Sequence, residues 1–460
     1  MISTTEQTDR YGGITTVQGE ATGFFHLEKV NGRHWFIDPL GNGFFPLGIS
    51  HLFSGDSEPT VKQLYDYDQA AWMRDWFDKY RSLGFNCAPA GATSPCRDKA
   101  GFVDLEYAED LFTENDFPFA AGVWQFPHPA ELRFHYERQD VFSNYYEDLI
   151  EERAAYACGR HRDNPCLLGY YYGFGGFINA QWWVNRIFAS HPHSAGRSAL
   201  SDVLIEKYQG DSDAFNAVYG TNCRSLEELK SKVHIAYDDT FNSMNEAVFA
   251  EAEPRKKEDF KRLIEAIALR TYRVAEAAVR RHDRNHVILG MYTKATSFDH
   301  DLWSKVTRHA DVSSPQHVNP KLDFFRLYEV TGKPIWVSDQ TFGHGCNHRS
   351  SKPGPTEEEM AELYRLIVRR VLGDPRVCGI SICRTLYDLV TGPMVNKHHA
   401  FEGIYDEEGM PRDRLIATIK QENQQIYERA LMPLPDVALR DMQEQFVELH
   451  QQTRRRARQN

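Results

Sequence analysis

The sequence predicts a (β/α)8 barrel of the TIM type, and two observations lead to that prediction. Eight short apolar runs of strand length recur along the 460 residues, and stretches with apolar residues at helical spacing separate most of them. Alternating strand and helix patterns are typical of a parallel sheet with helices packed on it. Eight such units favour a closed barrel over an open doubly wound sheet, which would not need eight strands.

Two hairpin signals precede the first barrel strand. Asn31-Gly32 and Gly41-Asn42-Gly43 each lie between apolar runs of residues 24–47. This pattern predicts strand, turn, strand, turn and strand, so we expect a small N-terminal β-hairpin element in front of the barrel. Residues 1–20 lie outside this pattern, and we expect them to be disordered.

The eight predicted strands share an apolar run bounded by polar or turn-forming residues. They cover residues 44–50, 85–89, 117–123, 167–172, 286–292, 311–316, 334–339 and 377–384. The predicted helices share apolar positions at three-to-four spacing and cover residues 66–83, 144–159, 259–282, 321–331 and 356–372. Thr356 and Glu359 form a capping-box pattern that predicts the start of the last helix.

The connection between the fourth and fifth predicted strands is much longer than an ordinary βα loop. We assign residues 177–260 to an insertion within a barrel domain that covers residues 21–435. We expect the insertion to form a lid or a cleft wall; the alternative is a structural subdomain that packs elsewhere. Residues 436–460 are predicted to form a C-terminal helix with a basic tail.

Composition limits the classes of partner. The net charge of −12 disfavours nucleic acid and anionic membranes, and no apolar run approaches the length of a membrane helix. A glycine-rich dinucleotide motif and a Walker loop are absent, so we predict no cofactor. An aromatic content of 13% suits a sugar-binding cleft and equally a large aromatic core. Homo-oligomerisation stays open.

The N-terminus and the cysteines bear on localisation. Residues 1–13 are polar and lack a signal-peptide core, which indicates a cytoplasmic protein, or a secreted or periplasmic one whose signal has been removed. The eight cysteines form no Cys-x-x-Cys pair, and several lie in strand-like apolar runs (Cys87, Cys166, Cys378 and Cys383). We expect buried free thiols rather than disulfides.

Candidate site residues follow from their positions at or near the ends of the predicted strands, because barrel chemistry takes place at the carboxyl ends of the strands. Asp339 closes the seventh strand, where an ionised group beside a core needs a partner or a function. A salt-bridged structural Asp is the alternative for this residue. The candidate substrate-binding residues are His51, Asn86, Tyr172, Trp182, Tyr292, Lys294, His317, Gln340, Arg384, Lys397 and His398.

Five segments, in order, resemble agarase-type glycoside hydrolases of family 50 and their clan A relatives. The segments cover residues 31–51, 83–90, 140–148, 331–339 and 401–430, and the first reads NGRHWFIDPLGNGFFPLGISH. The run DNPCLLGYYYGFGG of residues 163–176 resembles the fourth strand of the same enzymes. The resemblance implies a TIM barrel that hydrolyses a galactan or a related, acidic or sulfated saccharide. It also implies that Asp339 stands at the position of the nucleophile.

The chain departs from this pattern at both catalytic positions. Phe174-Gly175 stand where the relatives have Asn-Glu, so the acid/base carboxylate is missing, and Asp339 is one methylene shorter than the expected Glu. Three interpretations remain. The first is a hydrolase in which Asp339 acts as base or nucleophile and Asp388, Glu402, His51 or His317 supplies the acid. The others are a lyase-type enzyme that uses Tyr, His, Lys or Arg, and an inactive saccharide-binding barrel.

A histidine-rich loop follows Asp339. His344, Cys346 and His348 alternate in a way that would suit zinc, but no second cluster of matching spacing accompanies them. We therefore predict no metal site and interpret this glycine-containing loop as a contact for substrate.

Overall fold

The structure, a computed structural model, describes residues 8–50, 52–53, 62, 64–90, 105–123, 140–176, 180–238, 241, 252–295, 298–316, 318, 322–342, 355–383, 385–387, 403–405 and 410–459. A four-stranded antiparallel sheet forms first. Its strands are β1 (Ile14–Gln18), β2 (His26–Val30), β3 (Arg33–Ile37) and β4 (Asn42–Phe44), in the order β1-β4-β3-β2. We call it the front sheet.

The front sheet confirms the predicted turn at Asn31-Gly32 and corrects two other predictions. The second turn lies at residues 38–41, since Asn42 and Gly43 belong to β4. Asn31 and Gly32 join β2 to β3 with φ values of 51° and 82°, the left-handed backbone that a tight hairpin requires. The prediction that residues 1–20 are disordered is wrong for residues 8–20. Strand β1 pairs with β4 and buries Ile14 and Val17, which tie this segment to the sheet.

The barrel strands form one parallel sheet of order β5-β11-β10-β9-β8-β7-β6. They are β5 (Leu47–Ile49), β6 (Phe119–Gly122), β7 (Leu167–Gly176), β8 (Val287–Lys294), β9 (Pro315–Gln316), β10 (Ile335–Gln340) and β11 (Val377–Ile382). Two short strands follow, β12 (Thr385–Tyr387) and β13 (Gly403–Tyr405), which pair with each other.

The second predicted strand closes the barrel without forming a regular strand. The N–H of Ala88 donates to the carbonyl of Pro118 beside β6 at 2.9 Å, and the N–H of Asn86 donates to Leu47 of β5 at 3.1 Å. Pro89 has no N–H, which limits the ladder at this point. The prediction of a regular strand over residues 85–89 is therefore wrong. The segment nevertheless lies between β5 and β6, in the position of the eighth barrel strand.

Helices form the outer layer. They are α1 (Gln69–Ser82), α2 (Leu105–Glu114), α3 (Asn144–His161), α4 (Ala180–Phe188), α5 (Ala195–Tyr208), α6 (Ser212–Tyr219), α7 (Pro254–His282), α8 (His300–Val306), α9 (Phe324–Thr331), α10 (Glu357–Gly373), α11 (Asp413–Asn423), α12 (Ile426–Ala430) and α13 (Asp436–Gln459). The predicted capping box of Thr356 and Glu359 is present at the start of α10. None of the described helices combines the length and apolar content that a bilayer crossing requires.

The front sheet packs at the amino ends of the barrel strands. The buried Arg33 donates from Nη1 to the carbonyl of Leu372 at 2.6 Å, and the N–H of His34 donates to Pro375 at 3.1 Å. Both acceptors precede β11, so the front sheet lies at the end of the barrel opposite the carboxyl ends of the strands.

The insertion is built on the long helix α7. Because α7 leads into β8, it runs from the carboxyl-end face of the barrel towards the opposite face. Arg270 of α7 donates from Nε to the carbonyl of Val141 at 3.0 Å, just before α3 begins, so this contact marks the upper rim. Lys261 of α7 pairs with Asp299 at the start of α8 at 3.3 Å, so the residues of α7 before Lys261 extend past the barrel helices by about 10 Å, at about 1.5 Å per residue. Helices α4, α5 and α6 pack on this extension, and the insertion therefore rises on the face where the strands end.

Six cysteines of the described residues are buried free thiols. They are Cys87, Cys158, Cys166, Cys223, Cys378 and Cys383, which confirms the prediction for the four residues that it named. Burial raises the pKa of Cys166 to about 12, so this thiol is protonated at neutral pH.

Candidate active site

Asp339 lies near the carboxyl end of β10 with a partly buried side chain. Its backbone is left-handed, with a φ of 50°. The pairing of β10 with β11 shifts register between Val337 and Gln340, which places Asp339 in a β-bulge. Bulges redirect side chains beside active sites, and Asp tolerates left-handed backbone better than most residues. The bulge therefore points the carboxylate of Asp339 in a direction that it would not have in a regular strand.

Gln316 holds the carboxylate of Asp339 from the neighbouring strand. Its Nε2 donates to Oδ2 of Asp339 at 3.2 Å. Gln316 is only 4% exposed, and it is in register with Ser338 across β9 and β10. Gln316 is not among the residues predicted for the site, although one signal is present in the sequence, namely an amide at the carboxyl end of the strand next to that of Asp339.

Two stacked tyrosines lie deeper in the barrel. The rings of Tyr171 on β7 and Tyr292 on β8 are 4.9 Å apart and nearly parallel, at 15°. Their hydroxyls donate to the carbonyls of Ala90 (2.6 Å) and Pro89 (2.7 Å), and these bonds hold the end of the extended segment between β5 and β6 in place. Burial, and then the charges of Cys87 and Asp339, raise the pKa of Tyr292 well above its ordinary value. Tyr292 is fully buried beneath the barrel mouth, by which we mean the opening at the carboxyl ends of the strands. It therefore supports the site from below.

Tyr172 faces the other side of β7. Its ring packs edge-on against Tyr272 of α7 at 5.7 Å, and its hydroxyl donates to the carbonyl of His309 at 3.0 Å. Successive residues of a strand point to opposite faces of the sheet. The structure thus places Tyr172 between the barrel and its helices, and we leave it out of the proposed site.

The side-chain amides of Asn86 and Gln340 form hydrogen bonds with backbone groups of neighbouring segments. Asn86 accepts from the N–H of Leu47 at 2.8 Å and donates to the carbonyl of Phe45 at 2.9 Å. Gln340 is 1% exposed and accepts from the N–H of Val318 at 2.6 Å. Both residues therefore join segments of the barrel, and a substrate contact by either residue stays a prediction.

Lys294 and Trp182 lie on the mouth side. Lys294 ends β8 with a half-buried side chain, and its backbone is paired with Gln316. Trp182 is on α4 at the start of the insertion and is 65% exposed, whereas the adjacent Trp183 is buried. An exposed indole ring near the mouth can stack on a sugar ring, so Trp182 is retained in the proposed site.

The remaining predicted site residues lie outside the described residues. These are His51, His317, Arg384, Asp388, Lys397, His398 and Glu402, together with the loop of His344, Cys346 and His348. Their roles stay predictions. Among the described residues, no three His, Cys, Asp or Glu side chains gather as a metal-binding group.

The position expected for the acid/base residue belongs to β7. Its backbone stays paired with β8 as far as Gly176, and Phe174 is in register with Tyr292. No carboxylate is available from residues 173–176. A general acid, if the reaction uses one, must come from another segment of the mouth.

The insertion is held to α7 by one buried carboxylate. Asp259 is 0% exposed and accepts hydrogen bonds from the hydroxyls of Tyr208 and Tyr219, both at 2.8 Å. Lys207 forms an ion pair with it, and the hydroxyl of Tyr219 also lies 2.7 Å from that of Tyr237. We call these five residues the Asp259 cluster; it joins α5, α6 and the segment before α7 to one point.

The barrel, its strand-end carboxylate and its long insertion form one (β/α)8 fold of the TIM type. By sequence, the chain is similar to beta-agarase B of Vibrio sp. (strain JT0107), with 20% identity over 89% of this chain and 49% of the relative. The chain thus spans about half the length of that relative. No protein-family model matches the chain.

Solved structures share the fold. An exo-beta-agarase superposes with a TM-score of 0.65 at 16% identity, covering 92% of this chain and 67% of the other. BpGH50 superposes with a TM-score of 0.64 at 15% identity, covering 93% of this chain and 87% of the other. The similarity confirms the predicted TIM barrel and its agarase-like character.

Proposed function

We propose that this barrel hydrolyses glycosidic bonds of an agarose-like or related galactan, with Asp339 as the catalytic carboxylate. The observation that carries the proposal is the placement of Asp339 near the end of β10, in a bulge and hydrogen-bonded to Gln316. A carboxylate oriented by a buried amide is suited to act as a nucleophile or as the base that activates water. The similarity to beta-agarase B supports the substrate class.

The general acid comes, on this proposal, from a segment other than β7. Asp388 and Glu402 are the carboxyl candidates, and His51 and His317 are the alternatives. A shorter Asp in place of Glu withdraws the carboxylate by about 1.5 Å, when direct attack requires contact near 3–3.5 Å. Attack through an intervening water, with inversion at the anomeric carbon, fits such a withdrawal.

The binding surface extends from Asp339 to the insertion. Lys294 at the end of β8 supplies a positive charge suited to an acidic or sulfated sugar, and the exposed ring of Trp182 supplies a stacking platform. Because the insertion packs on the part of α7 that extends past the barrel helices, it can form a wall beside bound sugar units.

A second candidate is a barrel that binds saccharide without turning it over, and the absence of a carboxylate from residues 173–176 favours it. The lyase alternative loses support. Four tyrosines of the strands that could serve a lyase, Tyr170, Tyr171, Tyr172 and Tyr292, are buried, and their hydroxyls donate to Asp283 or to backbone carbonyls.

One experiment separates these functions. The protein is incubated with agarose, with agar-derived oligosaccharides and with a uronate-containing polysaccharide, and new reducing ends, ultraviolet absorption and thermal shift are recorded. Hydrolysis gives reducing ends without absorption. A lyase gives unsaturated, absorbing products. A binding barrel gives a thermal shift and no products, which would overturn the proposed hydrolase activity.

A further inference from the structure

Two carboxyl groups meet in the junction between the N-terminal segment and the front sheet. Asp38 follows β3 and is fully buried. Its Oδ1 accepts from the N–H groups of Leu40 at 2.8 Å and Asn42 at 3.0 Å. Its Oδ2 is buried and has no hydrogen-bond donor among the described residues.

Asp9 approaches the same place from the N-terminal segment. Its Oδ1 accepts from the N–H groups of Tyr11 at 2.9 Å and Gly13 at 3.0 Å, and its Oδ2 accepts from Nδ2 of Asn42 at 2.5 Å. Asn42 therefore donates to both carboxyl groups, from its backbone N–H to Asp38 and from its side-chain amide to Asp9. A Cβ on Gly13 would lie 1.8 Å from Oδ2 of Asp38, so the backbone of the N-terminal segment is packed directly against that oxygen.

Two carboxylates in contact in a buried site cannot both be ionised without a large electrostatic cost. Burial, and then the hydrogen bond with Asp9, raise the pKa of Asp38 to about 7. Tyr427 of α12 also faces this junction, where its hydroxyl contacts the carbonyl of Gly12. Beside Asp9, the guanidinium of Arg10 donates to the hydroxyl of Tyr11 at 2.7 Å. Burial, and then the charges of Asp9 and Asp38, raise the pKa of Tyr427.

We propose that Asp9 and Asp38 share one proton and form a pH-sensitive latch that holds residues 8–18 on the front sheet. With the proton present, one carboxyl donates to the other, and Oδ2 of Asp38 is satisfied. Without the proton, two negative charges face each other at the junction, and strand β1 is released from β4 more readily.

The direction of the pH effect follows from linkage. In the open state Asp38 has its ordinary pKa near 4, whereas in the closed state the proton stays bound up to about neutral pH. The closed state therefore binds more protons between these values, and opening becomes easier as pH rises through that window. One proton gives a change of about tenfold per pH unit in the opening equilibrium, which levels off once both states are deprotonated.

Hydrogen–deuterium exchange of the full chain tests the latch. Protection factors are measured between pH 5 and 9 for peptides of residues 9–18 and, as an internal reference, for β10. We expect the protection of residues 9–18 to fall about tenfold per unit up to about pH 7 and to level off above it. Asp38→Asn, whose amide can donate to Asp9, should keep high protection at every pH. Asp163→Asn, at a side chain that is 87% exposed, is the matched control and should behave as the wild type.

Two results would overturn the latch. One is a flat protection profile for residues 9–18 in the wild type, and the other is an Asp38→Asn profile as steep as that of the wild type. Carbon-13 NMR of the labelled aspartate carboxyl groups in the wild type supplies a second test that needs no variant. It should show one carboxyl that titrates near pH 7, and a set of carboxyls that all titrate near pH 4 or below would reject the proposal.

Discussion

Gln316 and Asp339 are joined by a hydrogen bond of 3.2 Å between the amide Nε2 and the carboxylate Oδ2, across the adjacent strands β9 and β10. The amide is buried and the carboxylate is partly buried at the mouth. The bond therefore orients the carboxylate near the carboxyl end of β10 that we propose as the nucleophile or base.

Replacing Gln316 should impair turnover through Asp339. A hydrogen bond to a charged group contributes about 1.5–3 kcal/mol. We therefore expect Gln316→Ala to lower kcat about tenfold to a hundredfold on a hydrolysed agar oligosaccharide. Gln452→Ala, at an exposed position on α13, is the control and should leave the rate unchanged. Equal rates for Gln316→Ala and the wild type would show that the amide does not orient the reacting group.

The left-handed backbone at residue 339 should restrict which side chains are tolerated there. A β-branched residue at a φ of 50° is strained, whereas Asn accepts this conformation. Urea denaturation should give Asp339→Val a free energy of unfolding about 1–3 kcal/mol below that of Asp339→Asn. Equal stability of the two variants would mean that the bulge rearranges without cost.

The Asp259 cluster should control the stability of the insertion. Removing one partner of a buried ion pair costs about 3–5 kcal/mol, so Asp259→Ala should loosen α5 and α6 strongly. Tyr219→Phe, which removes hydrogen bonds to Asp259 and Tyr237, should cost about 1–3 kcal/mol. Hydrogen exchange should become faster in the insertion and stay unchanged in β10 and β11. Tyr145→Phe, on a residue that is 60% exposed, is the control, and unchanged exchange in Asp259→Ala would contradict the role of the cluster.

The free energy of unfolding should decrease at acid pH because of Asp283, which lies just before β8. Burial opposes ionisation of Asp283, but bonds with His286, the N–H of Asn285 and Tyr170 lower the pKa of Asp283 to about 2. A lowered folded-state pKa stabilises the fold above the ordinary value and loses that contribution as pH falls from about 4 to about 2. The free energy of unfolding should therefore decrease by about 2 kcal/mol over this window because of this group. Asp283→Asn should show a shallower decrease, and a slope equal to that of the wild type would contradict the assignment.

The sequence was sufficient to predict the barrel because its signals are local. The Asn31-Gly32 turn, the capping box of Thr356 and the strand-end Asp339 each follow from neighbouring residues. The direction of Tyr172 was not predictable in the same way. A strand buried on both faces is apolar throughout, so its sequence does not show which tyrosine faces the barrel interior.

Long-range contacts account for the other differences. Strand β1 is stabilised by pairing with β4 and by the hydrogen bond from the amide of Asn42 to Asp9, and residues 1–20 alone give no sign of either partner. Gln316 is recognisable as a functional candidate only when β9 is known to adjoin β10. In both cases the interaction depends on a residue distant in sequence.

The hydrolysis rate of Asp339→Asn tests the proposed function most directly. Release of reducing ends from an agar-derived oligosaccharide is compared for this variant and the wild type, and saccharide affinity is measured by calorimetry. The account predicts that the variant retains its affinity while its rate falls about a hundredfold to ten-thousandfold, as expected when a catalytic acid or base is lost. A variant that hydrolyses the same substrate at the wild-type rate would contradict the assignment of Asp339 as the catalytic carboxylate.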